Sequence, residues 1–412
     1  MTQELRADIV IIGGGIMGLW ARALLARAGY GVLLIEKSCL GDGQTIRSQG
    51  ILHRGLKYGL SRAAREASDQ LEDAVETWER ALRGEGDVDL RRADVLSNHT
   101  CFWTVDGGLL AGLTAQVGTR LLKAEARSRE LERGEFPPGF RGAPASVRVW
   151  SAAEPVLDAP SLLACVRDAG AGPVMLATVT FLGDHGSREG PQIEAQLHDG
   201  DSIRVAAGCV VLAAGEGNEH LLTMAGLDGP GASQRRPLHM GLVDHVPFEL
   251  FGHVLRPGSD KPRITITTGR RDGTLVWYVG GDVAERGVDM NDDDFRALLA
   301  AEVAACVPWA DLSRSRFSSL RVDRAEGRTE DGKRPTGPVV RRFGRLIAAW
   351  PTKLALAPLA ARRIMELVGE IRRPTRTAPI SLSLAADICD LPWSDPALKW
   401  SLNADAKAGR QP

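Results

Sequence analysis

The apolar run Ile9-Val10-Ile11-Ile12 is followed by Gly13-Gly14-Gly15-Ile16-Met17-Gly18, a helix-forming stretch closed by Gly29, a second apolar run from Val32 to Ile35, and Glu36. Runs that are apolar at every position, rather than at alternate ones, fit strands buried on both faces of a parallel sheet. Ile9 to Lys37 therefore reads as one strand–helix–strand unit. Ser38 to Tyr58 is dense in Gly, Ser, Thr and Gln and reads as a backbone-rich loop, and Ser61 to Leu82 sets Leu71, Val75 and Trp78 at helical spacing. Leu131 to Pro144, rich in Gly, Pro and charge, predicts an exposed loop.

A second α/β segment opens near Ser161 with a helix through Asp168 and a strand from Val174 to Phe181. A polar hairpin tip spans Gly183 to Gly190, and further strands end at Ala213-Ala214-Gly215, where small residues let a ligand or another backbone approach. Pro237 to Val283 then reads as strands with turn punctuation, Ile264 to Thr267 and Leu275 to Val279 meeting at Arg271-Asp272-Gly273. Asp292 to Val307 predicts a covering helix, Leu346 to Trp350 a buried strand, Pro351 to Leu354 a turn, and Ala357 to Val368 a helix.

The first unit carries dinucleotide chemistry. Gly13 permits the tight strand-to-helix turn, Gly15 lets a pyrophosphate approach the backbone, and Gly18 lets the helix pack closely on the strand. A diphosphate then sits on free helix N–H groups, aided by the helix dipole. Glu36 ends the second strand, where a carboxylate accepts both hydroxyls of an adenosine ribose and repels a 2′-phosphate. NADP is disfavoured; FAD and NAD remain. The hairpin followed by a small-residue strand end is a feature of FAD-binding folds and not of a simple NAD domain.

The 412 residues, 44.2 kDa, exceed one compact core, so two domains are expected. A formal charge of −1 provides no global field for nucleic acid or an anionic membrane. The first residues hold no apolar leader segment, and no run approaches a membrane span. Cys39, Cys101, Cys165, Cys209, Cys306 and Cys389 are scattered without a CxxC pair or metal spacing, which reads as a cytoplasmic chain with reduced thiols and no metal centre.

In this order the pieces resemble the FAD-dependent oxidoreductases of the D-amino-acid oxidase superfamily, which includes glycerol-3-phosphate dehydrogenases, L-2-hydroxyglutarate oxidases and glycine or sarcosine oxidases. Ser48 to Tyr58 is similar to the Ser-x-Gly-x-x-His-x-Gly-x-x-Tyr stretch that runs beside the isoalloxazine in the hydroxy-acid and glycerol-phosphate branches. Asp331 to Pro338 resembles the Asp-Gly-x-Pro-x-x-Gly loop, with one extra residue before the proline. Pro351-Thr352-Lys353-Leu354 stands where the amino-acid and sarcosine oxidases carry a Gly-rich turn over the flavin's pyrimidine end. The resemblance implies an α/β fold: an FAD-binding, Rossmann-like domain of glutathione-reductase type (1–60, 150–235 and 335–372) with an antiparallel-sheet α+β substrate domain (61–149 and 236–334). Residues 373–412 form a C-terminal extension of unread role. It further implies FAD contacts from Gly13, Gly14, Gly15, Ile16, Met17, Gly18, Glu36, Lys37, Thr45, Ser48, Gln49, Gly50, Val179, Ala213, Ala214, Gly215, Pro351, Thr352, Lys353 and Leu354. No cysteine stands near the Pro351 turn, so a thioether link to flavin is not expected.

His53 is the candidate proton acceptor beside the flavin, since neutral imidazole can take a hydroxyl proton as hydride leaves. Tyr58 is a candidate either to bind a substrate carboxylate or to cap the following helix. Between Arg314 and Arg345, ten Lys or Arg stand against four Asp or Glu. In the amino-acid oxidase relatives the strand before the Asp-Gly loop supplies a carboxylate-binding arginine, which nominates Arg321, Arg324 or Arg328, bidentate geometry favouring arginine over lysine. His239 and His245 read as structural, Trp277 as core. The expected substrate is a small anionic hydroxy acid or polyol phosphate, with an amine or amino acid as the alternative, and a flavoprotein whose FAD is structural or serves a partner as the rival of another class. The electron acceptor, O2, quinone or protein, is left open.

Overall fold

A computed structural model describes residues 3–54, 62–105, 128–183, 190–229, 231–255, 261–371 and 386–402. The opening apolar run becomes β1 (Gln3–Ile12), with Ile9, Val10 and Ile11 fully buried. Gly13, at φ +115°, turns the chain into α1 (Ile16–Arg27), and β2 (Val32–Glu36) returns parallel to β1 with Ile12 opposite Ile35. There follow α2 (Arg62–Leu82), β3 (Val95–Ser97), β4 (Thr100–Thr104), β5 (Ser128–Glu130), β6 (Arg148–Ala152) and β7 (Val156–Leu157). Next come α3 (Ala159–Ala169), β8 (Val174–Gly183), β9 (Gln192–Leu197), β10 (Ser202–Leu212) and α4 (Asn218–Met224). The chain continues through β11 (Ser233–Asp244), β12 (Gly252–Val254), β13 (Thr265–Arg271), β14 (Thr274–Gly280), α5 (Asp282–Arg286) and α6 (Asp292–Cys306). It closes with β15 (Arg316–Gly327), β16 (Val339–Phe343), β17 (Leu346–Trp350), α7 (Ala357–Ile371) and β18 (Ser401–Leu402).

Two large sheets result. In the first, β8, β2, β1, β10 and β17 are parallel neighbours in that order, and β16 closes the edge antiparallel to β17. β9 pairs antiparallel with the C-terminal half of β8 and the N-terminal half of β10. Helices α1, α3 and α7 bury one face of this sheet through Leu19, Leu162 and Ile364, which is why its strands are apolar at every position. The second sheet runs β18-β15-β11-β14-β13-β12-β4-β6-β5 and is antiparallel except between β4 and β12. Asp272 and Gly273, both at positive φ, make the tight turn from β13 to β14 that the Arg-Asp-Gly sequence predicts. On one face of this sheet Phe295, Leu299 and Val303 of α6 pack against Val243, Trp277 and Val279.

Two expectations are corrected. The stretch from Leu131 to Pro144 is not a free loop: Leu131, Phe136, Phe140 and Ala143 are buried in the second core, with the Phe140 ring 5.2 Å from that of Trp103. Its Gly and Pro residues shape two short 3-10 turns, while the aromatics anchor them.

Nor are all the thiols reduced. Cys39 and Cys389, 350 residues apart, are joined as a disulfide with Cα atoms 5.1 Å apart, while Cys101, Cys165, Cys209 and Cys306 are buried thiols outside it. Spacing along the chain carries no sign of such a pair; it forms because Leu40 and Ile388 bridge in parallel and Leu40 N–H donates to Asp387 O. The segment beyond Cys389 then crosses to the second sheet, where Trp393 packs on Tyr278 and its indole donates to Arg270 O at 3.0 Å. Closing so long a loop in the unfolded chain is entropically valuable, so Cys389→Ser is expected to lose about 2 to 5 kcal/mol. Thermal melts with and without reductant check this: reductant should lower the wild-type Tm to that of the variant and leave the variant unmoved.

Candidate active site

A glycine-lined cradle is built where the parallel strands β1, β2 and β10 end together. An added Cβ at Gly13 would lie 2.5 Å from the Ala213 carbonyl carbon, and one at Gly18 would strike the carbonyl oxygen of Gly13, so both glycines are fixed by packing. Gly15 differs. It has ordinary extended backbone, φ −72°, and among the described residues a Cβ there would meet only Thr45 Oγ1, at 3.3 Å. The open space over Gly15 lies at the N-terminus of α1, where N–H groups lack helical partners. Thr45 Oγ1 accepts from Ile16 N at 3.2 Å and lines the same opening.

Glu36 is buried, and its carboxylate accepts from Gly14 N at 2.6 Å and from Lys37 N at 2.7 Å. The acid therefore fixes the glycine loop. Val179, half-buried on β8, follows three residues after Leu176, the residue opposite Glu36. At the end of β10, Ala213 N donates to Ile12 O, and Ala214 N donates to the side chain of Asn218, whose amide in turn donates to Ala349 O at 3.0 Å. Asn218, fully buried, thus ties the ends of β10 and β17 together and was not singled out in the sequence.

The loop from Gln44 to Gly50 is held against the second sheet: Gln44 donates to Ala325 O at 3.2 Å, Gln49 to Thr265 O and Tyr278 O, and the Tyr278 hydroxyl to Arg47 O at 2.8 Å. Gln49 therefore spends its amide hydrogens as a tether between sheets. Ser48 Oγ is buried without a hydrogen-bond partner among the described residues. Gly50 needs its φ of +68° and would press a Cβ into Leu157 O. On the opposite side of the cradle, Thr352 occupies φ +66°, a region costly for a β-branched residue, and its hydroxyl donates to Gly337 O at 3.1 Å. Lys353 N donates to Pro351 O, and Leu354 opens the short turn leading into α7. An open face at Gly15, an orphaned serine hydroxyl and a helix start with free N–H groups fit a dinucleotide carrying an extended aromatic head.

His53 follows this loop, half-exposed, with Nδ1 3.6 Å from Glu154 Oε2. Glu154, absent from the sequence reading, has no exposure at all; it accepts from Arg54 N at 2.8 Å and Thr100 Oγ1 at 3.1 Å. His253 lies across from it, its ring 5.6 Å from that of His53 and its Nδ1 hydrogen-bonded to Thr265 Oγ1 at 2.8 Å. Loop, β4 and β12 thus converge on one carboxylate, and His53, Glu154 and His253 bring one ligand-type atom each within 4.8 Å of one another. The sequence signal for Glu154 was an acid set among Trp150, Ala152, Ala153 and Val156. Tyr58 lies outside the described residues.

The three nominated arginines are separated by strand geometry. Arg321 pairs in register with His239, which is buried and stacked 3.9 Å from Phe295 of α6. Its guanidinium donates to Val288 O and Met290 O, away from the cofactor loop. Arg328 is exposed beyond the strand end. Arg324, an odd number of residues from Arg321, lies on the other face. That face also carries Tyr278, whose hydroxyl reaches the cofactor loop. Burial, with the positive charge of Arg334 beside it, pushes the Arg324 pKa down to about 10. His245 stands exposed just past the end of β11, and Trp277 is core.

Among known proteins, the chain is 41% identical over 373 residues to a probable FAD-dependent oxidoreductase of Pseudomonas aeruginosa, covering 90% of this chain and 93% of the relative. The crystal structure of an FAD dependent oxidoreductase from that organism superposes with a TM-score of 0.79 at 34% identity, over 95% of this chain and 99% of that one. Two further structures share the fold. L-alpha-glycerophosphate oxidase of Mycoplasma pneumoniae, solved with FAD bound, has a TM-score of 0.63 at 14% identity, over 88% and 95% of the two chains. Glycine oxidase of Geobacillus kaustophilus has a TM-score of 0.60 at 20% identity, over 92% and 99%. Among the described residues no helix is long and apolar enough to cross a membrane. Residues 8–367 match the FAD dependent oxidoreductase family. The chain belongs to that family, an oxidoreductase that works with FAD.

Proposed function

We propose that this oxidoreductase oxidises a small anionic hydroxy acid or polyol phosphate at the carbon bearing the hydroxyl. The observation that carries the reading is the placement of His53 against the buried Glu154. Residues Gly13 to Gly18, Glu36, Thr45 and Ser48, the Ala213 to Gly215 strand end and the Pro351 to Leu354 turn would hold FAD, which when bound supplies the acceptor for the hydride leaving the substrate carbon. The chain's own residues handle the proton and the charge. Glu154, fixed by Arg54 N and Thr100, orients the His53 imidazole, whose neutral form takes the hydroxyl proton. His253, held by Thr265, walls the same space. Arg324, on the face turned to the cofactor loop, is the arginine assigned to the substrate's negative charge.

Anaerobic mixing of the holoprotein with 2-hydroxy acids, polyol phosphates and amino acids tests this directly. Flavin bleaching is expected with a member of one of the first two groups. Bleaching with amino acids alone would move the reading to amine oxidation, and no bleaching by any of them would leave a flavoprotein whose FAD serves another purpose.

A further inference from the structure

We infer that Arg324, Arg334 and Arg236, grouped around the single buried carboxylate of Glu326, form a binding site for a doubly charged anion, a dicarboxylate or a phosphate. Arg236 on β11 stands directly opposite Arg324 on β15, and Gln234 directly opposite Glu326. Directly opposed residues share a face, so two guanidinium groups and one carboxylate lie side by side there. Arg334 joins them from the loop after β15, its Nε 3.5 Å from Glu326 Oε1, and Arg236 Nε is 3.7 Å from Glu326 Oε2.

The charges do not balance. Three guanidinium groups surround one carboxylate, an excess of two positive charges, and like charges directly opposite on neighbouring strands repel. Glu285, an acid near enough to act on the group, is already paired with Lys261. Hydrogen bonding is short as well. The buried Nε of Arg324 has no acceptor among the described residues, and both Glu326 oxygens lack a hydrogen bond, the arginines standing at ion-pair distance only. A half-buried guanidinium without an acceptor is costly, and an oxyanion with two negative charges would supply both the acceptor atoms and the missing charge. All three arginines are half-buried, so a small anion can reach them.

This deepens the anionic-substrate reading and rests on it only for which molecule fills the site. The test is made on the holoprotein, comparing malonate, inorganic phosphate and acetate at equal ionic strength by calorimetry and thermal melts. Malonate or phosphate should bind at least tenfold more tightly than acetate, and Arg324→Met or Arg334→Met should each remove that preference. Because phosphate stabilises proteins in general, the melts are read as differences between wild type and variants. Glu326→Gln supplies the sign: with the competing carboxylate gone, the anion-induced rise in Tm should grow, which a cluster serving only to brace the strands would not show. Should an arginine variant fail to fold, the Glu326→Gln arm still decides. Preference for malonate assigns a dicarboxylate and preference for phosphate a phosphate ester; equal affinity for acetate, or no gain in Glu326→Gln, overturns the proposal. Failure of every hydroxy acid and polyol phosphate to bleach the flavin would instead remove the proposed reaction and leave the anion result standing.

Discussion

Gly15→Val is expected to give a folded but colourless protein. Three glycines of the cradle look alike in sequence, yet their surroundings separate them. Valine at Gly13 would be strained at φ +115° and would drive its Cβ into the Ala213 backbone, and valine at Gly18 would collide with the Gly13 carbonyl; both substitutions should damage the fold itself. At Gly15 the backbone is extended, a conformation β-branched residues adopt readily, and among the described residues beyond its chain neighbours only Thr45 Oγ1 lies within 4 Å of the new Cβ. The valine methyls would fill the space above the α1 N-terminus, where in the proposed site a pyrophosphate would approach the backbone. The expected result is therefore a circular dichroism spectrum and soluble yield like the wild type, with FAD affinity reduced beyond detection. A Gly15→Val protein that purifies with stoichiometric FAD would place the diphosphate elsewhere; a Gly13→Val protein as stable as wild type would contradict the packing described for that turn.

Local rules carried far in this chain. The strand–Gly-rich turn–helix unit, the Arg271 to Gly273 turn and the α6 helix are each set by residues close together in sequence, so period and turn chemistry expose them. What the sequence hid was decided at long range. The disulfide depends on Leu40 and Ile388 meeting across 348 positions, as their bridge shows. Phe136 and Phe140 sit in a stretch whose Gly and Pro content reads as loop, and only the second core reveals them as anchors. The same holds at the site. His53 is nominated by neighbours that resemble a known stretch, whereas Glu154 and His253, which the fold sets beside it, come from β-strand surroundings about 100 and 200 residues away, with no spacing to mark them. Among the arginines, parity along β15 is invisible without a register; once Arg321 is opposite His239, Arg324 must face the other way.

Replacing His53 with alanine should leave FAD bound and slow flavin reduction by roughly 10²- to 10⁴-fold, the range for losing a positioned proton acceptor. The imidazole stands beyond the glycine cradle, 3.6 Å from Glu154, so its removal would take away the proposed base and leave the cradle intact. Glu154→Gln distinguishes a working pair from a chance contact. Glutamine keeps an oxygen for Arg54 N but loses the charge that orients the imidazole, and the rate should fall by a smaller factor, on the order of 10- to 100-fold. The wild-type rate should rise with pH through one ionisation, because only neutral imidazole accepts the proton. In Glu154→Gln that rise should begin at lower pH, since a carboxylate favours the protonated ring beside it and the amide does not. An amine substrate would add a second ionisation, because its ammonium must lose a proton first. The measurement is the anaerobic reductive half-reaction of all three proteins across pH, with metal content determined on the same samples. Unchanged rates in His53→Ala would reduce His53 to a structural role. Stoichiometric zinc bound by His53, Glu154 and His253 would replace the proton-acceptor reading with a metal site, and lost FAD in His53→Ala would make the histidine a cofactor ligand.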